Sequence, residues 1–549
     1  MNRVILTSMF AASLVVAPLA SAQPTRADAE KDPVLKAMLT ELDRSMSQLQ
    51  LQGFAKPFFI QYRIESVDEF ESRAEFGATE GSSRTQERVA RVTVRVGDYK
   101  TDSSGGRGDG AIELTAIDDD PIAIRSALWM ATDDAYKNAL AAYAQKQAAL
   151  KQVQTPPQAD DFSHEKPLIS LAEPAQLKLD QSAWTDRVAR ASGLYRTDAT
   201  VKAGQQDLQY CTSDFHAREI TTWLVTSEGT IVRKSSTGYA ESFQAGTQAD
   251  DGMRLDRSYS TEGTTPADLD SEDAFNKHAV ADIVSLNELR KAPLVEEEYH
   301  GPLLMSADAG AETLRSLLAG SVVATRPKLG TEARTNGAFA SSYQARVLPD
   351  FIDVVDDPSL KTFNGKSLMG AYDIDDDGVP AQTVKLVTEG RLVNYLLGRE
   401  PVKDFPTSNG HARAGLTGAA RPIIGVLKVT ADNGASDAEL NQKLLDMAKD
   451  RGLPGVYYAE TVAGAHNPRL LYRITPDGKR QLVRGAVIAD IDTRALRSSI
   501  DAAGKDLFVA NFFGEAAQTV IAPALLFDDA TVKRANEKND KLPFYPPPE

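Results

Sequence analysis

The sequence predicts an α+β protein of two domains, a mixed helix/strand domain followed by a strand-rich one. Three observations carry this. The chain has 549 residues with 42% hydrophobic and 25% charged content, the composition of a folded soluble protein that is too long for a single core. Helical and strand patterns come in blocks rather than in regular alternation, which argues against a doubly wound parallel sheet. A fresh apolar strand, Gly301-Pro302-Leu303-Leu304-Met305, opens just after the acidic stretch at Glu296. This spacing predicts a first domain over 32–296 and a second over 297–530.

At the N-terminus, Met1-Asn2-Arg3 is a short positive segment, Val4 to Leu19 is apolar, and Ala20-Ser21-Ala22 is a small-x-small cleavage pattern. Residues 1–22 therefore read as a signal peptide cut after Ala22, with an exported periplasmic or extracellular mature chain. No later apolar run is long enough for a membrane span. Residues 23–31 are polar and read as loose. Val34, Leu35, Met38, Leu39, Leu42 and Met46 recur at helical spacing between Asp32 and Leu51. Phe58 to Ile64 and Arg73 to Lys100 read as strands, the latter ending in the alternating RVARVTVRV.

An Ala-rich helix follows over residues 132–152, with Thr132 and Asp133 as the expected N-cap and Pro156-Pro157 beyond its end. It reads as a helical insertion. Strands return around Ile220 to Thr226 and Thr230 to Ser235, residues 246–271 read as a long polar loop, and Glu272 to Leu289 as a helix. In the second domain, Ser436-Asp437-Ala438-Glu439 is a capping box that opens a helix closed by Gly452 and Pro454. Residues 531–549 end in LPFYPPPE and read as a Pro-rich tail.

A net charge of −16 and no Lys/Arg run argue against nucleic acid as a partner. Cys211 is the one cysteine, so no intrachain disulfide forms, and a buried small hydrophobe is its expected role. Asp373-Ile374-Asp375-Asp376-Asp377-Gly378 spells the first half of a calcium loop. Position 12, where such a loop needs a bidentate Glu, is Val384, and a strand-like QTVKL follows instead of an exit helix. The alternative is a tight acidic turn whose Asp side chains bond backbone amides.

The longer segment GAYDIDDDGVPAQTVKLVTEGRLVNYLLGR resembles the C-terminal domain signature of the TldD/PmbA (TldD/TldE) metalloprotease family. The residues that carry it include Gly370, Asp376, Asp377, Gly378, Pro380, Glu389, Gly390, Leu392, Tyr395 and Leu396. Val354-Val355-Asp356-Asp357-Pro358 upstream, Ser408-Asn409-Gly410-His411-Ala412-Arg413 downstream and Val483-Arg484-Gly485 match further family segments in order. The resemblance implies a two-domain TldD/PmbA-like fold that dimerises around a cavity, acting on peptides or unfolded polypeptide. It also implies, for active members, zinc held by the two His of an H-E-x-x-x-H helix and a distant Cys.

Those ligands are not in place. Where the motif should fall, the chain reads Arg315-Ser316-Leu317-Leu318-Ala319-Gly320, and the Gly-rich loop near Thr461 to His466 has no Cys. This resembles the TldE/PmbA side of the family, which lacks the zinc motif and partners a catalytic TldD. The expectation is a zinc-free subunit needing no cofactor. Two alternatives stand beside it: an active metallopeptidase with a non-standard metal site built on His411 and His466, or an extracytoplasmic binding or scaffold protein reusing the fold. Whether the chain is itself an enzyme stays open. The substrate-binding candidates are Asp376, Asp377, Asn409, His411 and Arg413, of which Asn409 and Arg413 suit a peptide backbone or a carboxylate.

Overall fold

The computed structural model describes residues 24–155, 157–203 and 207–536; the predicted signal peptide and the Pro-rich end of the tail lie outside them. The first domain is built on one seven-stranded sheet. Its strands are β1 (Pro57–Glu75), β2 (Ala78–Val96), β3 (Ala111–Leu114), β4 (Ile169–Leu171), β5 (Leu208–Thr226), β6 (Ile231–Gln248) and β7 (Arg254–Gly263). Spatial order is β3-β2-β1-β5-β6-β4, with β7 also paired to β6.

The two-residue period of a strand assigns the two faces of this sheet. Ile60, Tyr62 and Ile64 of β1, Ala90, Val92 and Val94 of β2, and Trp223 and Val225 of β5 share one buried apolar face. Helices Pro33–Gln48 and Pro121–Leu150 cover it. Farther along the same face, Phe70 and Phe215 pack under Val188 of helix Gln181–Ser192. Burying each such aliphatic or aromatic side chain contributes about 1.5–3 kcal/mol. The alternate positions, Gln61 and Arg63 of β1 and Arg91, Thr93 and Arg95 of β2, face the second domain instead.

The second domain holds an eleven-stranded sheet. Its spine is the long strand Gln518–Arg534, antiparallel to β8 (Tyr299–Met305) and parallel to Val426–Ala431. Leu303, Met305, Leu525 and Phe527 point to one side, where helix Ala307–Leu318 seals the core with Leu314 and Leu318. Leu304 and Leu526 point to the other, under Leu440, Leu444 and Ala448 of helix Asp437–Asp450. That helix starts at the Ser436–Glu439 capping box, where Glu439 Oε2 accepts from the Ser436 amide at 2.7 Å.

Several elements differ from the sequence reading. The Ala-rich helix runs over Pro121–Leu150, because Asp120 caps it by accepting from Ile122 and Ala123 at 3.0 and 2.8 Å. Thr132 and Asp133 are therefore interior residues. Leu128, Ala131, Ala135, Tyr136 and Ala139 belong to the main core, so the helix packs as part of the first domain's core. The expected loop over 246–271 contains β7, whose inward Leu255 and Arg257 alternate with exposed polar residues. Its polar composition conceals a strand that β6 templates. Residues 23–31 include a one-turn helix, Arg26–Ala29, closed by a Thr25–Asp28 capping box and burying Ala29. The final strand runs through residue 531 to Arg534, so the tail starts later than predicted. Cys211 is buried on β5, and burial pushes its thiol up to about 12. Among the described residues no helix is long and apolar enough to cross a membrane.

Candidate functional site

The acidic turn 373–380 is closed by an isolated bridge between Ile374 and Pro380 and by Gly378 at φ +80°. A Cβ on Gly378 would also come within 2.7 Å of Thr230 on the first domain, so the glycine is required twice over. Each of the three crowded carboxylates has a separate occupation. Asp375 Oδ1 accepts from the Asp377 and Val379 amides at 3.0 and 2.8 Å, and its Oδ2 from Ala412 at 3.0 Å. Burial, reinforced by the charge of Asp377, holds the Asp375 carboxyl well above the usual range.

Asp376 receives Lys234 Nζ at 2.6 Å and the Ala414 amide at 2.8 Å. Burial pushes its carboxyl up, but Lys234, Arg413 and Arg63 outweigh that and bring it to about 2. Asp377 is raised by burial against the pull of Arg399 and Arg95. The carboxylates are crowded because one forms the turn, one anchors the sheet of the first domain, and one reaches the space between domains.

The loop 408–413 separates the remaining candidates. Asn409 accepts from the Leu397 amide at 2.8 Å and donates to the Tyr395 carbonyl at 2.7 Å, so its amide stitches the loop to the preceding segment. His411 is fully buried. Its Nε2 contacts Asp356 at 3.2 Å and its Nδ1 the Asn409 carbonyl at 2.9 Å, which leaves neither nitrogen open to a ligand. His466 is held elsewhere, with Nδ1 donating to the Ile488 carbonyl at 2.8 Å. The structure does not bring His411 and His466 together. Among the described residues the single group with metal-ligand spacing is Glu69, Glu71 and His216, partly exposed on β1 and β5.

The two segments that the resemblance assigns to zinc do meet. Helix Ala307–Leu318 faces the loop at Gly464, where a Cβ would lie 3.7 Å from Ser316 Oγ. Glu312 accepts from the Gly464 amide at 3.0 Å and from Arg315 Nε and Nη2 at 3.1 and 3.0 Å. The Arg315 guanidinium lies 4.3 Å over the Phe512 ring. A guanidinium has no lone pair to give a metal, and among the described residues Glu312 is not joined at ligand spacing by the further ligands that a catalytic zinc, held by three protein groups, needs. The residues present do not fit zinc at this position.

Asp377 and Arg413 instead lead to a cavity of about 690 Å³ between the two domains. One wall is the polar face of β1 and β2, with Gln61, Arg63, Arg91 and Arg95; the other is the loop 413–423 of the second domain, with Arg399 beside it. Arg95 pairs with Asp102, and Arg399 Nη1 pairs with Glu228 at 2.7 Å. Four buried guanidinium nitrogens around the cavity have no hydrogen-bond partner among the described residues: Nε of Arg63, Arg95 and Arg399, and Nη1 of Arg413. Buried donors are satisfied in the great majority of cases, so such a cluster marks a place for something else. Sequence reasoning singled out Arg413 but missed Arg63, Arg91, Arg95 and Arg399. The alternation in RVARVTVRV did place Arg91 and Arg95 on one face; what it lacked was the identity of the facing loop.

A two-domain α+β molecule with a polar, arginine-lined cavity at the domain boundary is thus the class defined by fold and site. The model of the PmbA/TldA metallopeptidase C-terminal domain matches residues 299–534, so that part of the chain is similar to the C-terminal domain of this family. Solved structures share the whole fold. The chain aligns with a protein described as a modulator of a DNA gyrase from Thermotoga maritima at TM-score 0.57 and 16% identity, covering 86% of this chain and 96% of that one. It aligns with TldE from Thermococcus kodakarensis at TM-score 0.57 and 12% identity, covering 90% and 100%. A third, described as a modulator of DNA gyrase from Bacteroides thetaiotaomicron, gives 0.56 and 11%, covering 91% and 98%. No curated protein sequence matches the chain.

Proposed function

We propose that this chain is a zinc-free, TldE-like subunit that binds peptide or unfolded polypeptide and partners a catalytic TldD-like protease outside the cytoplasm. One observation carries the reading. At the helix where active members of the family are expected to hold zinc, Arg315 is locked onto Glu312 and Phe512, the helix sequence carries no His or Cys, and among the described residues no group of three potential ligands gathers there. The domain match supports a metallopeptidase-related protein, and the missing ligand set supports a non-catalytic role within it. The signal-peptide pattern at residues 1–22 supports export.

The test is metal analysis of the purified mature chain together with a casein-cleavage assay, with and without chelator. The expected result is no stoichiometric zinc and no cleavage by the chain alone. One zinc per chain with chelator-sensitive turnover would sink the reading.

A further inference from the structure

Directly opposed like charges on adjacent strands destabilise a sheet, so a protein that keeps such a pair needs a counter-charge. Arg63 and Arg91 are cross-strand partners on β1 and β2, and both line the interdomain cavity. Arg63 is 2% exposed. Its Nη2 donates to the carbonyls of Gly415 and Gly418 at 3.1 and 2.7 Å, and its nearest carboxylate, Glu65, stays 3.8 Å away. Arg91 donates to the carbonyls of Thr417 and Asp109 at 2.8 and 2.6 Å and, among the described residues, forms no ion pair. Arg413 stacks 4.2 Å over Tyr372 and, among the described residues, makes no side-chain hydrogen bond; it sits 3.9 Å from an Asp376 already claimed by Lys234.

The same cavity supplies an internal control. Arg95 and Arg399 stand on partner carboxylates, Asp102 and Glu228. Among the described residues, the carboxylates that line the cavity form no ion pair with the other three arginines. The Asp109 side chain accepts from Gly105 at 2.8 Å, Glu400 lies 3.6 Å from Arg95, Asp377 lies against the Arg399 amide at 3.4 Å, and Glu515 packs on the Gly415 backbone.

We propose that the cavity receives the carboxylate of a peptide, terminal or side-chain, gripped between Arg63 and Arg91 on the sheet and Arg413 on the facing loop. Guanidinium and carboxylate pair through parallel charge-assisted hydrogen bonds, and the buried, partnerless N–H groups of Arg63 and Arg413 are suitable donors. The cavity volume of about 690 Å³ exceeds what a lone oxyanion fills and falls in the range of sites for larger ligands. Ala414, Gly415, Gly418, Ala419 and Ala420 line the remainder, and their small side chains leave room for a chain. This inference rests on the peptide-binding part of the proposed function and names its anchor.

The test is calorimetric titration of the mature protein with three probes: acetyl-trialanine with a free carboxylate, its C-terminal amide, and acetyl-Ala-Glu-Ala amide. The wild type is expected to bind at least one carboxylate-bearing probe ten-fold or more tightly than the neutral amide, and the tighter of the two identifies the source of the carboxylate. Arg413→Gln, which removes no side-chain hydrogen bond among the described residues but takes a cation from near Asp376, is expected to melt at a lower temperature, to keep the wild-type circular-dichroism spectrum at room temperature and to lose at least ten-fold in that affinity. Equal binding of acid and amide, or unchanged binding by Arg413→Gln, overturns the anchor while leaving a peptide-binding role standing. Failure of the wild type to bind any of the three at millimolar concentration overturns both.

Discussion

Two clusters of like charge meet near the domain boundary, and they are resolved in opposite ways. The acidic turn satisfies every buried carboxylate from within: Asp375 by three backbone amides, Asp376 by Lys234 and the Ala414 amide, Asp377 beside Arg399. The arginine wall does not. Arg63 and Arg91 face each other across two strands and rest on carbonyl oxygens. A carbonyl satisfies an N–H but leaves the guanidinium charge uncompensated. The comparison teaches that crowding of charge is by itself no sign of a ligand site. What distinguishes the arginines is that, among the described residues, buried N–H groups of Arg63 and Arg413 have no hydrogen-bond partner, and their nearest carboxylates stay 3.8 and 3.9 Å away.

The largest effect is expected on the acidic side. Asp375→Ala orphans three buried amides, each costing about 1–3 kcal/mol, so a loss of about 4 kcal/mol or more is predicted in denaturant unfolding. A cost under about 1 kcal/mol would show that the turn holds itself without its central carboxylate.

Next comes Glu65, beneath Arg63, whose carboxyl is raised by burial from its ordinary 4.5 to about 7. The folded state then keeps a proton that the unfolded chain releases, so stability is greatest below about 4.5 and falls as pH rises through about 7. At about 1.4 kcal/mol per pKa unit, the loss across this window of about 2.5 units is about 3 kcal/mol. Glu65→Gln should flatten that part of the stability–pH profile; an unchanged slope would refute the assignment.

The smallest expected effect separates the two kinds of arginine. Arg95→Gln takes a cation from the fully buried Asp102, and breaking a buried pair costs about 3 kcal/mol or more, tempered here by Lys146 at 3.4 Å from the same carboxylate. Arg91→Gln loses two backbone contacts but relieves repulsion from Arg63, for a net change under about 1 kcal/mol. Thermal melts of the two variants should differ by about 2 kcal/mol. Equal losses would mean that Arg91 is a structural residue like Arg95.

Local features of the fold were legible. The capping box at Ser436, the strand alternation up to Val96, the tight acidic turn and the apolar strand β8 all follow from short-range rules. Non-local support hid the rest. Thr132 resembles an N-cap only until Asp120, twelve residues earlier, takes that role. Residues 254–263 resemble a loop until β6 pairs with them. Of the candidate site residues, Asp377 and Arg413 line the cavity, while Asn409 and His411 are consumed in holding their own loop.

By itself the sequence determined what neighbouring residues decide. Gly378 permits the positive-φ turn, Arg91 and Arg95 share a face, and no imidazole stands where a metal helix would need one. Only the tertiary structure decided that Arg63 lies beside Arg91, that the 415–418 carbonyls meet both, and that Arg413 closes the other side. The reason is physical. A period of two fixes which side chains share a face, but the field at each charge depends on groups hundreds of residues away in sequence, and packing alone sets that distance.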